Sequence, residues 1–452
     1  MKTKELRYNL RFLFLVCICS ILLLSCHDAS YTNAIPSESI ALVSIDAKSL
    51  NKDGDIALLE MFSGKDIRKS GLDFSEKIYM FESQDGNLGL CAKIRSKSDV
   101  VSFLEEDKSN KISPLQEYRG VHFAVLNDSW MIGFNDQSFL VMGPTPASGQ
   151  SILRQNMANY LKQDDEQGIG SSKLFTKLDS IDSPMAMVTQ MQALPDKFIA
   201  PFTLGAPKDA DASQILVAAN IKVENGVLKI DGETFSFNKS INHSLKEAYK
   251  EYRPIADTFL GNMSNKDLLG LFMNVDGNKF IHHLHDNKSL AGLLLGINSA
   301  IDMDNIIKSF DGDMAIIMPS YSDDKLQLSL SAQTAHHKWI EDVAYWKKSC
   351  PAGGKILDWE SRSFYYTGNE LSYYFGITPS NLFFSGSTAA LAKSSIQKSS
   401  SPLSSEVQTQ LRGKKVGVVV SLAAIHNDNI DLVNKMLKPI VGNITTIVYT
   451  LK

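Results

Sequence analysis

The chain has 452 residues, with 46 Lys and Arg against 50 Asp and Glu, a formal charge of −4, and 44% hydrophobic side chains. That balance excludes disorder for the bulk of the chain, because a disordered segment needs low hydrophobicity and strong net charge. No Lys/Arg cluster forms a basic face, which argues against nucleic acid as a partner, and the length leaves room for two or more domains.

Lys2, Lys4, Arg7 and Arg11 precede an apolar run, Phe12 to Leu24, that ends Leu23-Leu24-Ser25-Cys26. The cations stay on the cytoplasmic side, the apolar stretch enters the bilayer as a short helix, and small Ser25 fits the peptidase. The 13 residues from Phe12 to Leu24 are too few for a span, which needs roughly 20. The reading is a lipoprotein precursor: residues 1–25 are a signal peptide, Cys26 takes the lipid, and 26–37 form a short polar tether. Cleavage leaves 42 Lys and Arg against 49 Asp and Glu, a formal charge of −7. Cys17 and Cys19 leave with the signal, so Cys91 and Cys350 remain, and they read as idle thiols rather than a necessary disulfide.

Beyond the tether, strands and helices come in a recurring order. Leu42-Val43-Ser44-Ile45 is an apolar strand leading into a short helix, and Lys77 to Phe81 and Leu88 to Ile94 are two more strands. Val100, Val101 and Leu104 give Ser98 to Glu106 an apolar helical face, with Ser96 or Ser98 as its cap. The strands Val121 to Leu126, Ser129 to Phe134 and Ser138 to Met142 follow, then helical stretches between Ser148 and Leu178. Pro184 to Val188, a helix after Pro195 and Gln214 to Val223 close the unit. Asn225-Gly226 joins the last strand to Val227–Phe237 in a hairpin, because both turn residues accept positive φ.

The same order starts again at Leu269 to Val275, with a helix, then Asp313 to Met318 and Leu326 to Ala332. A helix at Ala335 to Lys347 precedes three strands, Ser363 to Tyr366, Leu371 to Ile377 and Asn381 to Ser385. Val416 to Leu422, a helix at Ile430 to Ile440 and Ile444 to Leu451 end the chain, and the Ser394 to Ser405 run is a loop or weak helix. The fold class is α+β: two similar halves, 38–240 and 265–452, each a mainly antiparallel sheet with helices packed on one face. A connecting helix, Ser244 to Phe259 within 241–264, joins them.

Three sets of residues carry a resemblance: Ile35-Pro36-Ser37-Glu38 through Asp46, Ser70-Gly71-Leu72-Asp73 leading into Ile78-Tyr79-Met80-Phe81, and Phe310-Asp311-Gly312-Asp313. With the lipobox, the chain resembles a Bacteroidetes lipoprotein family catalogued as domain of unknown function 4836. The resemblance implies an envelope address and no activity, so no catalytic residue is carried over.

Read for chemistry, the candidates lose to structural explanations. On a helix His282 and His285 share a face with Asp286, so one metal could meet all three, but no glutamate base stands at hydrolase spacing and His336-His337 has no fixed relation to them. Asn274-Val275-Asp276-Gly277-Asn278 lacks the remaining ligands of a calcium loop and reads as turn chemistry, as does Asp311-Gly312-Asp313. Glu105-Glu106 and Asp164-Asp165-Glu166 read as solvated faces. Trp346, Trp359, Phe364, Tyr365, Tyr366, Tyr373, Tyr374, Phe375, Phe383 and Phe384 crowd together, and adjacent members point to opposite strand faces. Either helices cover the second face or the rings there form a binding platform.

The sequence therefore assigns no catalytic, cofactor-binding or metal residue, and only Cys26, as the lipidation site, carries chemistry. The expected protein is an envelope lipoprotein, held by its lipid to the outer membrane with the side undecided, that binds or scaffolds an envelope protein or a glycan. The alternative is a hydrolase of envelope or dietary polysaccharide, whose two carboxylates would come from distant strands. Cys26→Ser should release the protein in soluble form, and a variant that stayed in the membrane fraction after a salt wash would refute the tether.

Overall fold

The computed structural model describes residues 30–50, 69–106, 111–194, 199–320, 327–368, 372–424 and 444–451. The expected signal peptide, Cys26 and the helix expected at Ile430 to Ile440 lie outside the described residues. None of the described helices is long and apolar enough to cross a membrane.

Nineteen strands among the described residues join into one sheet. The first ten are β1 Ala41–Ile45, β2 Ile78–Glu82, β3 Leu88–Lys93, β4 Gln116–Tyr118, β5 Val121–Leu126, β6 Trp130–Phe134, β7 Ser138–Gly143, β8 Met185–Gln190, β9 Leu216–Glu224 and β10 Val227–Phe235. The others are β11 Leu269–Asp276, β12 Phe310–Met318, β13 Ser329–Thr334, β14 Lys355–Glu360, β15 Ser363–Thr367, β16 Ser372–Ile377, β17 Leu382–Gly386, β18 Val416–Ser421 and β19 Thr446–Leu451. Across the sheet the hydrogen-bonded order is β4-β5-β6-β7-β3-β2-β1-β8-β9-β10-β19-β18-β11-β12-β13-β17-β16-β15-β14. Every pairing is antiparallel except β10 with β19. The fold is thus mixed α and β, with a large, mostly antiparallel sheet. The Asn225-Gly226 hairpin forms as expected, with φ of 51° and 75° at its two turn residues, and it sets the nine-residue register of β9 on β10.

Helices do not keep to one face. All residues of β6 and β7 are buried, because Trp130–Phe134 and Ser138–Gly143 are nearly continuous apolar runs that need cover on both sides. Met131, Leu140 and Met142 pack with Leu153, Met157, Leu174 and Leu178 of the helices Gln150–Tyr160 and Lys173–Asp179. Ile132, Phe139 and Val141 pack on the other side with Val100 and Leu104 of Lys97–Glu105, whose cap is Ser96.

The expected tether also differs. Ser30–Ala34 forms a 3-10 turn in which Tyr31, Thr32, Asn33 and Ala34 are buried, followed by fully buried Ile35. The Tyr31 hydroxyl donates to the Lys77 carbonyl at 2.7 Å, and Asn33 Nδ2 donates to Asp165 at 2.7 Å. Two large apolar groups in a polar-looking stretch are enough to seat it on the body.

The expected connecting helix is shifted. It runs Lys239–Glu251 from an Asn238 cap and stops at Tyr252, whose ψ of 139° is extended. Pro254 has no N–H to continue a helix and its ring drives Arg253 out of the helical region. The segment beyond is instead tied down by Asp313, which is only 2% exposed. Its carboxylate accepts from the N–H groups of Ala256 and Thr258, both at 3.0 Å, and from Asn274 Nδ2 at 2.9 Å. Downstream, β13 begins at Ser329, with Gln327 and Leu328 outside it and Leu326 outside the described residues, and the helix expected from Ala335 divides into a 3-10 turn Lys338–Asp342 and a helix Val343–Ser349.

The expected boundaries do not separate the cores. Val217 and Ala219 of β9 belong to the same apolar cluster as Met273 of β11, Val416 and Val418 of β18 and Tyr449 of β19. Asp313→Ala should remove the acceptor of three part-buried donors at a cost of about 1–3 kcal/mol, read as a lower urea midpoint with an unchanged slope. A loss below about 1 kcal/mol would show that water replaces the carboxylate.

Candidate functional site

The fold disperses most of the residues that the sequence marks for chemistry. Asp276 caps the helix Gly277–Asp286 by accepting from Asn278 N–H. Gly277 is needed for close approach, since a Cβ there would lie 1.9 Å from the Ile307 carbonyl oxygen. The histidines of this helix diverge: His283 Nε2 sits 3.0 Å from Glu251 Oε2, His285 Nε2 sits 2.6 Å from Asp304 Oδ2, and His282 is exposed. His337 Nδ1 lies 3.0 Å from Asn381 Oδ1, and His336 is exposed. Among the described residues no three His, Cys, Asp or Glu side chains converge in a way that could hold a metal.

The carboxylate pairs are similarly local. Asp164 accepts from the N–H groups of Glu166 and Gln167, both at 3.1 Å, and Glu105 and Glu106 are exposed. Asp311 pairs with Arg253 at 2.8 Å. Burial raises the carboxyl pKa of Glu82 and of Asp267. Glu82 ends β2 and Asp267 precedes β11, seven strand steps apart in the sheet, or about 34 Å along its surface. They form no acid pair of the kind glycosidases use. Cys91 and Cys350 are free thiols in separate apolar clusters, and burial pushes both thiol pKa values up.

The aromatic crowd is where the structure gathers residues. On the core side Ile356, Phe364, Tyr366, Tyr373, Phe375 and Phe383 pack against Trp339 and Trp346. Trp339 is fully buried, parallel to Trp346 at 6.3 Å and edge-on to Phe383 at 6.0 Å. The sequence reading passed over Trp339, although its spacing to Val343 and Trp346 is that of one helical face.

The opposite side is only partly covered. The helix Ala389–Ser394 packs on β17, β16 and β13, yet Leu357 on β14 remains 50% exposed. Around it Trp359, Tyr365 and Tyr374 are half-buried. Tyr365 and Tyr374 are direct cross-strand partners and stack at 4.3 Å with planes 23° apart. Trp359 stands in a β-bulge, edge-on to Tyr374 at 4.7 Å and to Phe384 at 6.4 Å. Lys393 Nζ covers the Trp359 ring at 5.3 Å and pairs with Glu360 at 2.6 Å. β14 pairs only with β15 among the described strands, so this surface borders a free sheet edge.

No curated protein and no solved structure matches the chain. A family profile does match, over residues 58–427, a span that holds the Ser70–Asp73 and Phe310–Asp313 motifs but not Ile35–Asp46. The description of that family names no activity, ligand or partner. By this match over most of its length, the chain belongs to the family Domain of unknown function (DUF4836).

Proposed function

We propose that the chain is a lipid-anchored envelope protein that binds a partner protein without catalysis, through the outer face and free edge of β14–β16. The observation that carries this reading is the half-exposed cluster of Leu357, Trp359, Tyr365 and Tyr374 beside an unpaired edge strand. A sugar stacks on an open ring face, whereas here the ring faces are largely taken up: Tyr365 lies on Tyr374, and Lys393 lies over Trp359. What remains outward is ring edges and Leu357, bordered by exposed Lys355, Asp358 and Glu360. Tyr, Trp and an aliphatic anchor within a charged rim form the pattern of protein interfaces. The backbone groups of β14 add a row at which a partner's strand can pair. The support for the anchor is the run from Lys2 to Cys26.

The same reading takes the body as two similar halves. Counted inward from the free edges, the order is β4-β5-β6-β7-β3-β2-β1-β8-β9 on one side and β14-β15-β16-β17-β13-β12-β11-β18-β19 on the other, the same succession with β10 between them. Helices fall in matching intervals, after β3 and β13 and again after β7 and β17. Duplication of one nine-strand unit is the simplest origin of that order. The copies have diverged at the edge, since β4 presents Gln116, Glu117 and Tyr118 where β14 presents Leu357 and Trp359.

A photo-crosslinking side chain placed at Leu357 in intact cells should give discrete protein adducts that are lost with Trp359→Ala. The same probe at Ile152, 64% exposed on the helix Gln150–Tyr160, should not give them. Identical adducts at both positions, or none at Leu357, would defeat the proposal. Glycan-array binding abolished by Trp359→Ala would replace the protein partner with a sugar.

A further inference from the structure

A cavity of about 190 Å³ lies where the N-terminal and C-terminal parts of the sheet join. Its walls come from both: Leu204, Leu245 and Tyr252 from residues before 260, and Val416 and Leu451 from β18 and β19. Leu204, Leu245, Tyr252 and Val416 are buried, whereas Lys246 and Glu233 are exposed and mark its mouth. The volume is well above the roughly 15 Å³ that one water requires.

Two features make the cavity more than a packing gap. The Tyr252 side chain is 5% exposed, with its ring held beside Phe280 at 6.5 Å and His283 at 5.9 Å, and among the described residues its hydroxyl has no hydrogen-bond partner. A buried hydroxyl without a partner costs about 1–3 kcal/mol, which phenylalanine would avoid. At the mouth Glu233 is engaged by Lys177 at 2.7 Å, so its charge is answered. Lys246 lines the same cavity and is exposed, so a cationic side chain also belongs to its wall. Lys246 and Tyr252 stand six residues apart along the end of one helix, or about 9 Å along its axis.

We propose that this cavity binds a small amphipathic monoanion, with its carboxylate at Lys246, an apolar ring or short acyl body against Leu204, Leu245 and Val416, and a hydrogen-bonding group at Tyr252. The pairing of an apolar body with polar groups at both ends fits the general character of ligand pockets, which favour the junctions of structural units. No covalent step is involved. The site is separate from the aromatic edge at β14, so either proposal can fail alone.

The test uses 4-hydroxyphenylacetate and phenylacetate as probes on the full chain, by titration calorimetry and ligand-observed NMR. Wild type should bind the hydroxylated probe about five- to tenfold more tightly, the usual worth of one hydrogen bond. Tyr252→Phe should abolish that preference while leaving phenylacetate affinity unchanged, and Lys246→Gln should weaken both probes alike. Leu245→Trp, or Val416→Phe if the first does not fold, should abolish both. No saturable binding, a preference that survives Tyr252→Phe, or undiminished binding to the filled-cavity variants would overturn the proposal. So would a crystal structure, grown with the hydroxylated probe, in which ordered water alone meets the Tyr252 hydroxyl.

Discussion

The parallel pairing of β10 with β19 is the constraint on which the rest depends. Without it the order would break into a piece ending at β10 and a piece ending at β19, each with a long open edge of hydrophobic strand. The join is both polar and apolar. Asp231 on β10 accepts from Lys414 Nζ at 3.0 Å and from Thr450, its register partner on β19. Lys229 pairs with Glu224 and, at 2.6 Å, with Glu406. Above and below the join run two apolar layers, one through Val217, Ala219, Met273 and Val418, the other through Val227, Phe272, Val419 and Val448. The two sides therefore share apolar layers across the join.

Local patterns were legible in the sequence and long-range ones were not. The hairpin at Asn225-Gly226, the capped helix after Ser96 and most strands follow from short-range turn, capping and alternation rules. β4 and β14 escaped because Gln116-Glu117-Tyr118 is short and polar and Lys355–Glu360 is a bulged edge strand with a charge at every second or third position. Gln327 and Leu328 continue the alternation of the strand after them, and alternation alone does not say where pairing starts. The helix expected to reach Phe259 stops at Glu251, because Pro254 ends it although apolar residues continue beyond. No local signal tells that the last strand pairs in parallel with β10, because that depends on two edges meeting across more than 200 residues.

The site was legible in part. Alternation correctly divides the aromatics between two faces, so Tyr365 and Tyr374 fall opposite Tyr366 and Tyr373. It does not tell how the rings stand toward one another, which side chains cover them, or that the strand bearing Leu357 and Trp359 is an edge. Those are facts of neighbours, and the proposal of a protein partner rests on them. The histidines fail as a metal site for a related reason: a helix presents several side chains on one face, but His283 and His285 are each claimed by a carboxylate of a different neighbouring helix.

The seated N-terminal turn bears on how far the body can stand from a bilayer. Tyr31 through Ile35 are built into the core, so a lipid on Cys26 would be followed by only His27, Asp28 and Ala29 before the chain is fixed. Fully extended, the four steps from Cys26 to Ser30 reach about 14 Å. Such a standoff leaves little freedom to tumble: the surface near Ser30 would ride against the lipid headgroups, and the orientation of the whole sheet would be set by where the chain leaves it.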